Sequence, residues 1–294
     1  MNPPTGKSIR DFCSVADLLC EPVDIDCSGG VPPGTLHLID LELPSNTGIL
    51  LYVHGGGYCN PISAKGHISF ALECAHAAGV SALAFLEYTL SPELSYPGQL
   101  VQVVEALRFI LRSHQPSQIV LGGDSAGGNL VLALIAHLIQ PSPYVQAVAG
   151  FGRTSGRFRA VFLISPWVAC QYNSRSFRKN ATKDYISTEG MKRFTALWQP
   201  KVHEIWATPI AGSAKFWCHA PVDDLLITAG EWECFLDDIR GMADRLGAKP
   251  FGSGSPVELA IAKAEVHVQC VVDAAVNVSH GFMARIILRW LASH

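Results

Sequence analysis

Residues 121–128 read Leu-Gly-Gly-Asp-Ser-Ala-Gly-Gly, between the apolar run Gln118–Leu121 and the long apolar stretch Asn129–Ala136. A strand must turn sharply into a helix here, with Ser125 in a strained backbone conformation at the turn. Glycine two positions to either side removes the Cβ atoms that would collide. Ser125 then stands at the start of the helix, where free amides, that of Ala126 among them, can stabilise a developing negative oxygen. The arrangement exposes a hydroxyl for nucleophilic attack.

Gly-x-Ser-x-Gly alone is weak in a chain with 26 glycines, where it also describes an ordinary loop-to-helix turn. Three further features add weight. Leu50–Val53 runs into His54-Gly55-Gly56-Gly57-Tyr58, a strand ending in a loop whose amides can point into a cleft. Asp223–Gly230 reads as a strand with the acids Glu231 and Glu233 just beyond it, and Val257–Ile261 leads through Glu265 to His267. The order is glycine loop, serine, acid, histidine, which among serine hydrolase scaffolds is that of the α/β-hydrolases.

The strings His54-Gly55-Gly56-Gly57, Tyr88-Thr89-Leu90-Ser91-Pro92-Glu93 and Gly123-Asp124-Ser125-Ala126-Gly127-Gly128 resemble the hormone-sensitive-lipase-like branch of that superfamily. Glu87-Tyr88-Thr89-Leu90 is similar to fungal esterase and deacetylase members in particular. The likeness runs over about positions 48–292. It implies Ser125 as nucleophile and His267 as general base, with the amides of Gly55, Gly56 and Ala126 forming the oxyanion hole. His54, Asp124, Tyr88, Pro92 and Glu93 would support that loop and the adjacent strand end. Family members usually carry an aspartate where this chain has Glu233. Glutamate orients an imidazole equally well with one more rotatable bond. Glu231, Asp237 and Asp238 are the alternatives, the last two also suiting the N-terminal charge of a helix. His280, in Ser279-His280-Gly281-Phe282, competes with His267. It lies at the edge of the closing helix, and the loop after the last strand is where the base belongs.

At 294 residues, 49% hydrophobic and 16% charged, the chain suits a single domain around a sheet buried on both faces. A net charge of −3 offers no footprint for nucleic acid. The start lacks the apolar core of a signal peptide, and no run has the roughly 18 apolar residues of a membrane span. Nine cysteines without metal-like spacing suggest free thiols and a cytoplasmic location. Cys59, after the glycine loop, reads as a small pocket-lining residue. The chemistry requires no cofactor and no metal.

Strands are predicted near Leu36–Leu43, Leu50–Val53, Ser81–Glu87, Gln118–Leu121, Ala160–Ser165, Asp223–Thr228 and Val257–Ala262. Helices are predicted near Ala64–Ala78, Gln99–Ser113, Gly128–Ile139, Glu231–Leu246 and His280–Leu291. The alternation gives a mostly parallel sheet flanked by helices, antiparallel at its start. Residues 141–159 read as a surface loop. Residues 1–45 and 171–220 are expected to form a small helical cap, with helices around Gly190–Leu197 and Ile210–Phe216. Tyr172, Phe177, Tyr185, Phe194, Trp198, Trp206 and Trp217 could wall a cleft there. The expected partner is a small acyl ester, with short acyl groups on a bulky or aromatic alcohol preferred. Hydrolysis of an arylformamide or lactone, or a catalytically silent binding protein, are the other readings. The closing helix could also join two subunits.

Overall fold

The central strands need two apolar layers to cover them, and the chain supplies both. In a computed structural model, which describes residues 3–43, 47–152 and 156–294, the strands are β1 (Cys20–Ile25), β2 (Gly34–Asp40), β3 (Ile49–Val53), β4 (Ala82–Glu87), β5 (Ile119–Asp124), β6 (Phe158–Ile164), β7 (Val222–Gly230), β8 (Lys249–Pro250) and β9 (Val257–Ala262). They form one sheet in the order β1-β2-β4-β3-β5-β6-β7-β9-β8. The β1–β2 and β2–β4 pairs are antiparallel and the others parallel. This is the mostly parallel architecture of an α/β-hydrolase, antiparallel at its first edge.

Every residue of β3 and β5 is buried. Alternate side chains of β3 serve opposite layers: Leu51 and Val53 enter one apolar cluster, Leu50 and Tyr52 the other. The helices are α1 (Thr5–Val15), α2 (Ser69–Ala77), α3 (Gly98–Ile110), α4 (Ala126–Ile139), α5 (Arg175–Lys179), α6 (Thr188–Trp198), α7 (Ala214–Trp217), α8 (Leu236–Leu246), α9 (Gln269–Ala275) and α10 (Phe282–Leu291). Helix α4 is buried continuously from Ala126 to His137, so its hydrophobic run needs no polar stripe. No described helix is long and apolar enough to cross a membrane.

Within 1–45, the described residues build the sheet edge and a helix beside it in place of the expected cap. Cys20–Ile25 and Gly34–Asp40 are strands of the sheet edge, and α1 packs against the π-helical turn Ala64–Ile68. The sequence hides β1 because Cys-Glu-Pro-Val-Asp-Ile is an edge strand, where proline and charge are tolerated and the apolar alternation is weak. The cap itself is narrower than 171–220, since α7 packs against α4 and α8 in the helical layer. The predicted helix Glu231–Leu246 starts only at Leu236, leaving Glu231–Phe235 as a turn. Within 141–159, Ser142 and Val145 are buried and Tyr144 donates to Glu204, so the segment is partly packed; residues 153–155 lie outside the described residues.

Candidate active site

Strand β5 ends at Asp124, and α4 begins at Ala126. Ser125 between them has φ 50° and ψ −116°, the strained turn that the sequence calls for. Its amide donates to the Ile164 carbonyl at 2.9 Å, and its own carbonyl accepts from Asn129 at 3.0 Å and Trp167 at 2.9 Å. A Cβ on Gly127 would stand 1.9 Å from the Val53 carbonyl oxygen, so only glycine lets β3 and α4 approach this closely.

His267 follows β9, and its Nε2 lies 2.9 Å from Ser125 Oγ. The imidazole is buried, with the Phe235 ring edge-on at 4.9 Å and the Tyr185 ring at 5.9 Å. Its Nδ1 faces Glu233 Oε1 at 3.9 Å. Neither of these two buried atoms has a hydrogen bond among the described residues. Glu233 is wholly buried, and its Oε2 accepts from Ser165 Oγ at 2.6 Å and Gly230 N at 2.7 Å. One carboxylate oxygen is thus fixed by the ends of β6 and β7, and the other is left for the imidazole.

The competing residues lie elsewhere. Glu231 Oε2 accepts from Ala264 N at 3.0 Å, and Asp237 Oδ2 from Ser176 N at 2.8 Å. Asp238 belongs to α8. His280 pairs through Nε2 with Glu73 at 2.6 Å and takes no part in the hydrogen bonds around the serine. Glu265 does a separate job: its carboxylate accepts from Phe282 N and, at 2.9 Å, Met283 N, capping α10.

The glycine loop departs from expectation at its first residue. Gly55 N donates to Asp124 Oδ1 at 3.0 Å, so this amide is already committed and is not free to bind an oxyanion. Among the described residues, Gly56 N and Gly57 N donate to no protein acceptor, and both glycines line the cleft beside Ser125. Gly57, unlike Gly55, is therefore the residue missed in reading the string. Asp124 anchors the loop: it also accepts from Tyr52 Oη at 3.0 Å and meets His67 Nε2 at 3.2 Å. Ser63 N donates to His67 Nδ1 at 3.0 Å, so the ring proton sits on Nε2 and points at Asp124. Burial acts to raise the Asp124 pKa, but the attraction and hydrogen bond of His67, with His54 and the Gly55 amide, outweigh it and hold the group below its ordinary value. His67 lies in no recognisable string, and nothing in the sequence marks it.

His54 is neutral, its pKa brought down to about 4 by burial and then by His67. Its Nδ1–H donates to the Gly55 carbonyl at 2.7 Å, and its ring stacks on Tyr88 at 4.6 Å. Tyr88 Oη donates to the His54 carbonyl at 2.9 Å. Both residues brace the loop. Glu93 does not: it is exposed in the turn after Pro92 and has no hydrogen bond or ion pair among the described residues. Tyr58, buried with φ 62°, donates to Asn129 Oδ1 at 2.7 Å and stacks on Trp198 at 4.2 Å, tying the far end of the loop to α4 and the cap.

A family model described as alpha/beta hydrolase fold matches residues 50–271. The chain belongs to this α/β-hydrolase family. An acetyl-hydrolase of Streptomyces hygroscopicus is 31% identical over 229 residues, covering 72% of this chain and 69% of that protein. Among solved structures, a carboxyl esterase 2 from the fungus Tuber melanosporum superposes with a TM-score of 0.75 at 19% identity, covering 94% of this chain and 86% of the other. A thermostable esterase from Pseudomonas putida gives 0.74 at 16% identity, covering 98% and 86%. Within this family setting, Ser125, His267 and Glu233 are arranged as the catalytic triad of a serine hydrolase acting on small acyl esters.

The cleft of this hydrolase has a volume of about 670 Å³, with Ser125 and His267 in its floor. Of the seven cap aromatics expected to wall it, only Tyr185 and Phe194 do so. Phe177, Trp198 and Trp217 are buried in the core, and Trp206 Nε1 donates to the Gln140 carbonyl at 3.1 Å. The missing wall comes from α9 and its flanks, through Val268, Val271, Val272, Ala275 and Val276. This helix is short and valine-rich directly after the base, a composition that gives no helical signal. Cys59 is not among the lining residues; burial pushes its thiol up to about 11, so it is protonated and inert at neutral pH.

Proposed function

We propose that this chain is a carboxylesterase of the hormone-sensitive-lipase-like branch that removes short acyl groups, acetyl foremost, from a bulky apolar alcohol. The single observation that carries the reading is the 2.9 Å contact from His267 Nε2 to Ser125 Oγ in the floor of an apolar cleft. His267 takes the serine proton as Oγ attacks the ester carbonyl, and Glu233 Oε1 stabilises the imidazolium across the remaining gap. The tetrahedral oxygen is received by the amides of Gly56, Gly57 and Ala126, each such donor being worth about 3 kcal/mol in the transition state. Protonated His267 then releases the alcohol, and water repeats the sequence on the acyl-enzyme.

Support for short acyl groups comes from Phe194, which packs so closely on Gly57 that a Cβ there would lie 2.6 Å from its ring. On this reading Phe194 bounds the acyl side of the cleft and the valines of α9 the alcohol side. The nine free cysteines suit a reducing compartment. The test is hydrolysis of 4-nitrophenyl acetate, butyrate, octanoate and dodecanoate, with fluorophosphonate labelling of Ser125 alongside. The expected profile peaks at acetate or butyrate; a maximum at dodecanoate, or an unlabelled serine, would overturn the proposal.

A further inference from the structure

The acid and the base sit on different loops, after β7 and β9, and no direct hydrogen bond joins them. One side chain from the cap touches both loops. Asp184 Oδ2 accepts from Cys234 N, the residue after Glu233, at 2.7 Å. Its Oδ1 accepts from the amide of His267 itself at 3.4 Å. We propose that Asp184 is a positioning residue for the triad, a carboxylate clamp from the cap that sets the Glu233–His267 separation.

The surroundings make the clamp stiff. Asn180, 1% exposed, donates from Nδ2 to the carbonyls of Glu233 at 2.8 Å and Glu231 at 3.2 Å. The backbone carbonyl of Asn180 accepts from the amides of Lys183 and Asp184 at 2.9 and 3.0 Å, closing a turn that aims the Asp184 carboxylate. Tyr185 next in the chain covers the His267 ring, and the Ile186 carbonyl accepts from Cys234 Sγ at 3.3 Å. Residues 180–186 therefore grip the acid turn by its backbone while one carboxylate spans to the base. Two acceptor oxygens between two amides fix their spacing. A carboxamide in the same place cannot, because its NH₂ group would face one of those N–H donors.

This inference rests on the triad reading but is tested apart from it. In Asp184→Asn, kcat for the acetate ester and the rate of Ser125 labelling should fall about ten-fold, with KM within about three-fold of wild type. In a Glu233→Gln background the same substitution should cost less than about two-fold, because its route of action is already gone. A purely structural role would give the same loss in both backgrounds and overturn the proposal. The NMR resonance of the His267 backbone amide needs no substrate, so it decides the matter even if the esterase reading fails: it should move in Asp184→Asn, which loses an acceptor at that amide, and an unmoved resonance overturns the clamp. Asp184→Glu, which keeps two acceptor oxygens, should recover part of the loss. An unfolded Asp184→Asn counts against the proposal, since a half-buried clamp serves two loops and not the core.

Discussion

Ser125 and Glu233 are both fixed, but by opposite means. The serine is held by backbone: a strand end, a helix start, the carbonyl of Ile164 and the amides of Asn129 and Trp167. The glutamate is held by the Gly230 amide and by two side chains, Ser165 at the end of β6 and Asn180 from the cap. Nucleophile placement is therefore a property of the backbone fold, whereas the acid depends in addition on side chains, one of which comes from the cap and can vary without touching the sheet. Mutations at the serine turn should be all-or-none; those around the acid should be graded.

The largest expected effect is that of Ser125→Ala, which should lower kcat/KM by about 10⁴-fold or more with an unchanged melting temperature; residual activity within about a hundred-fold of wild type would mean a different nucleophile. Glu233→Gln should cost about a thousand-fold in kcat, while Glu233→Asp, which withdraws the carboxylate by about 1.5 Å from an already long contact, should cost about ten- to a hundred-fold. Equal losses in the two variants would erase the graded behaviour claimed for the acid. Gly127→Ala should destabilise by about 3 kcal/mol, because the new methyl group meets a backbone carbonyl and not a side chain that can move. Urea unfolding measures it, and a loss under about 1 kcal/mol would show that the turn has slack.

The smallest effect concerns α8. Burial, then Asp237, raises the Asp238 carboxyl from 3.8 to about 7. Between these values the folded chain binds the extra proton, so this group's contribution to stability falls as pH rises from about 4 to 7. Asp238→Asn should stabilise at pH 8 by about 1 kcal/mol and have no effect near pH 4. Equal melting shifts at both pH values would sink this assignment.

What the sequence disclosed follows the same division. The turn at Ser125, the strand-and-glycine loop at 50–57 and the alternation of strands and helices are local patterns, and they are legible because strain, periodicity and capping act over a few residues. The triad acid could be named only with alternatives open, because Glu231, Glu233 and Asp237 differ in partners that lie far along the chain: Asn180, Ser176, Ala264 and Ser165. Gly55 departs from its expected oxyanion role for a similar reason, since its amide answers to Asp124, 69 residues on. His67 and α9 carry no local signal, one a single imidazole and the other a short valine-rich turn of helix. The edge strand β1 escaped because edges are built to look unlike strands.

Glu265 has a consequence for how this molecule would wear out. Two residues before the base, its carboxylate holds the amides that open the final helix. Anything that tugs on the tail, such as surface immobilisation through the C-terminus, a bulky fusion partner or gentle heating that peels α10 from its seat, pulls on the same short tether as His267. Turnover would then fade while the sheet is still intact, and attachment through the opposite end of the chain would be the gentler choice.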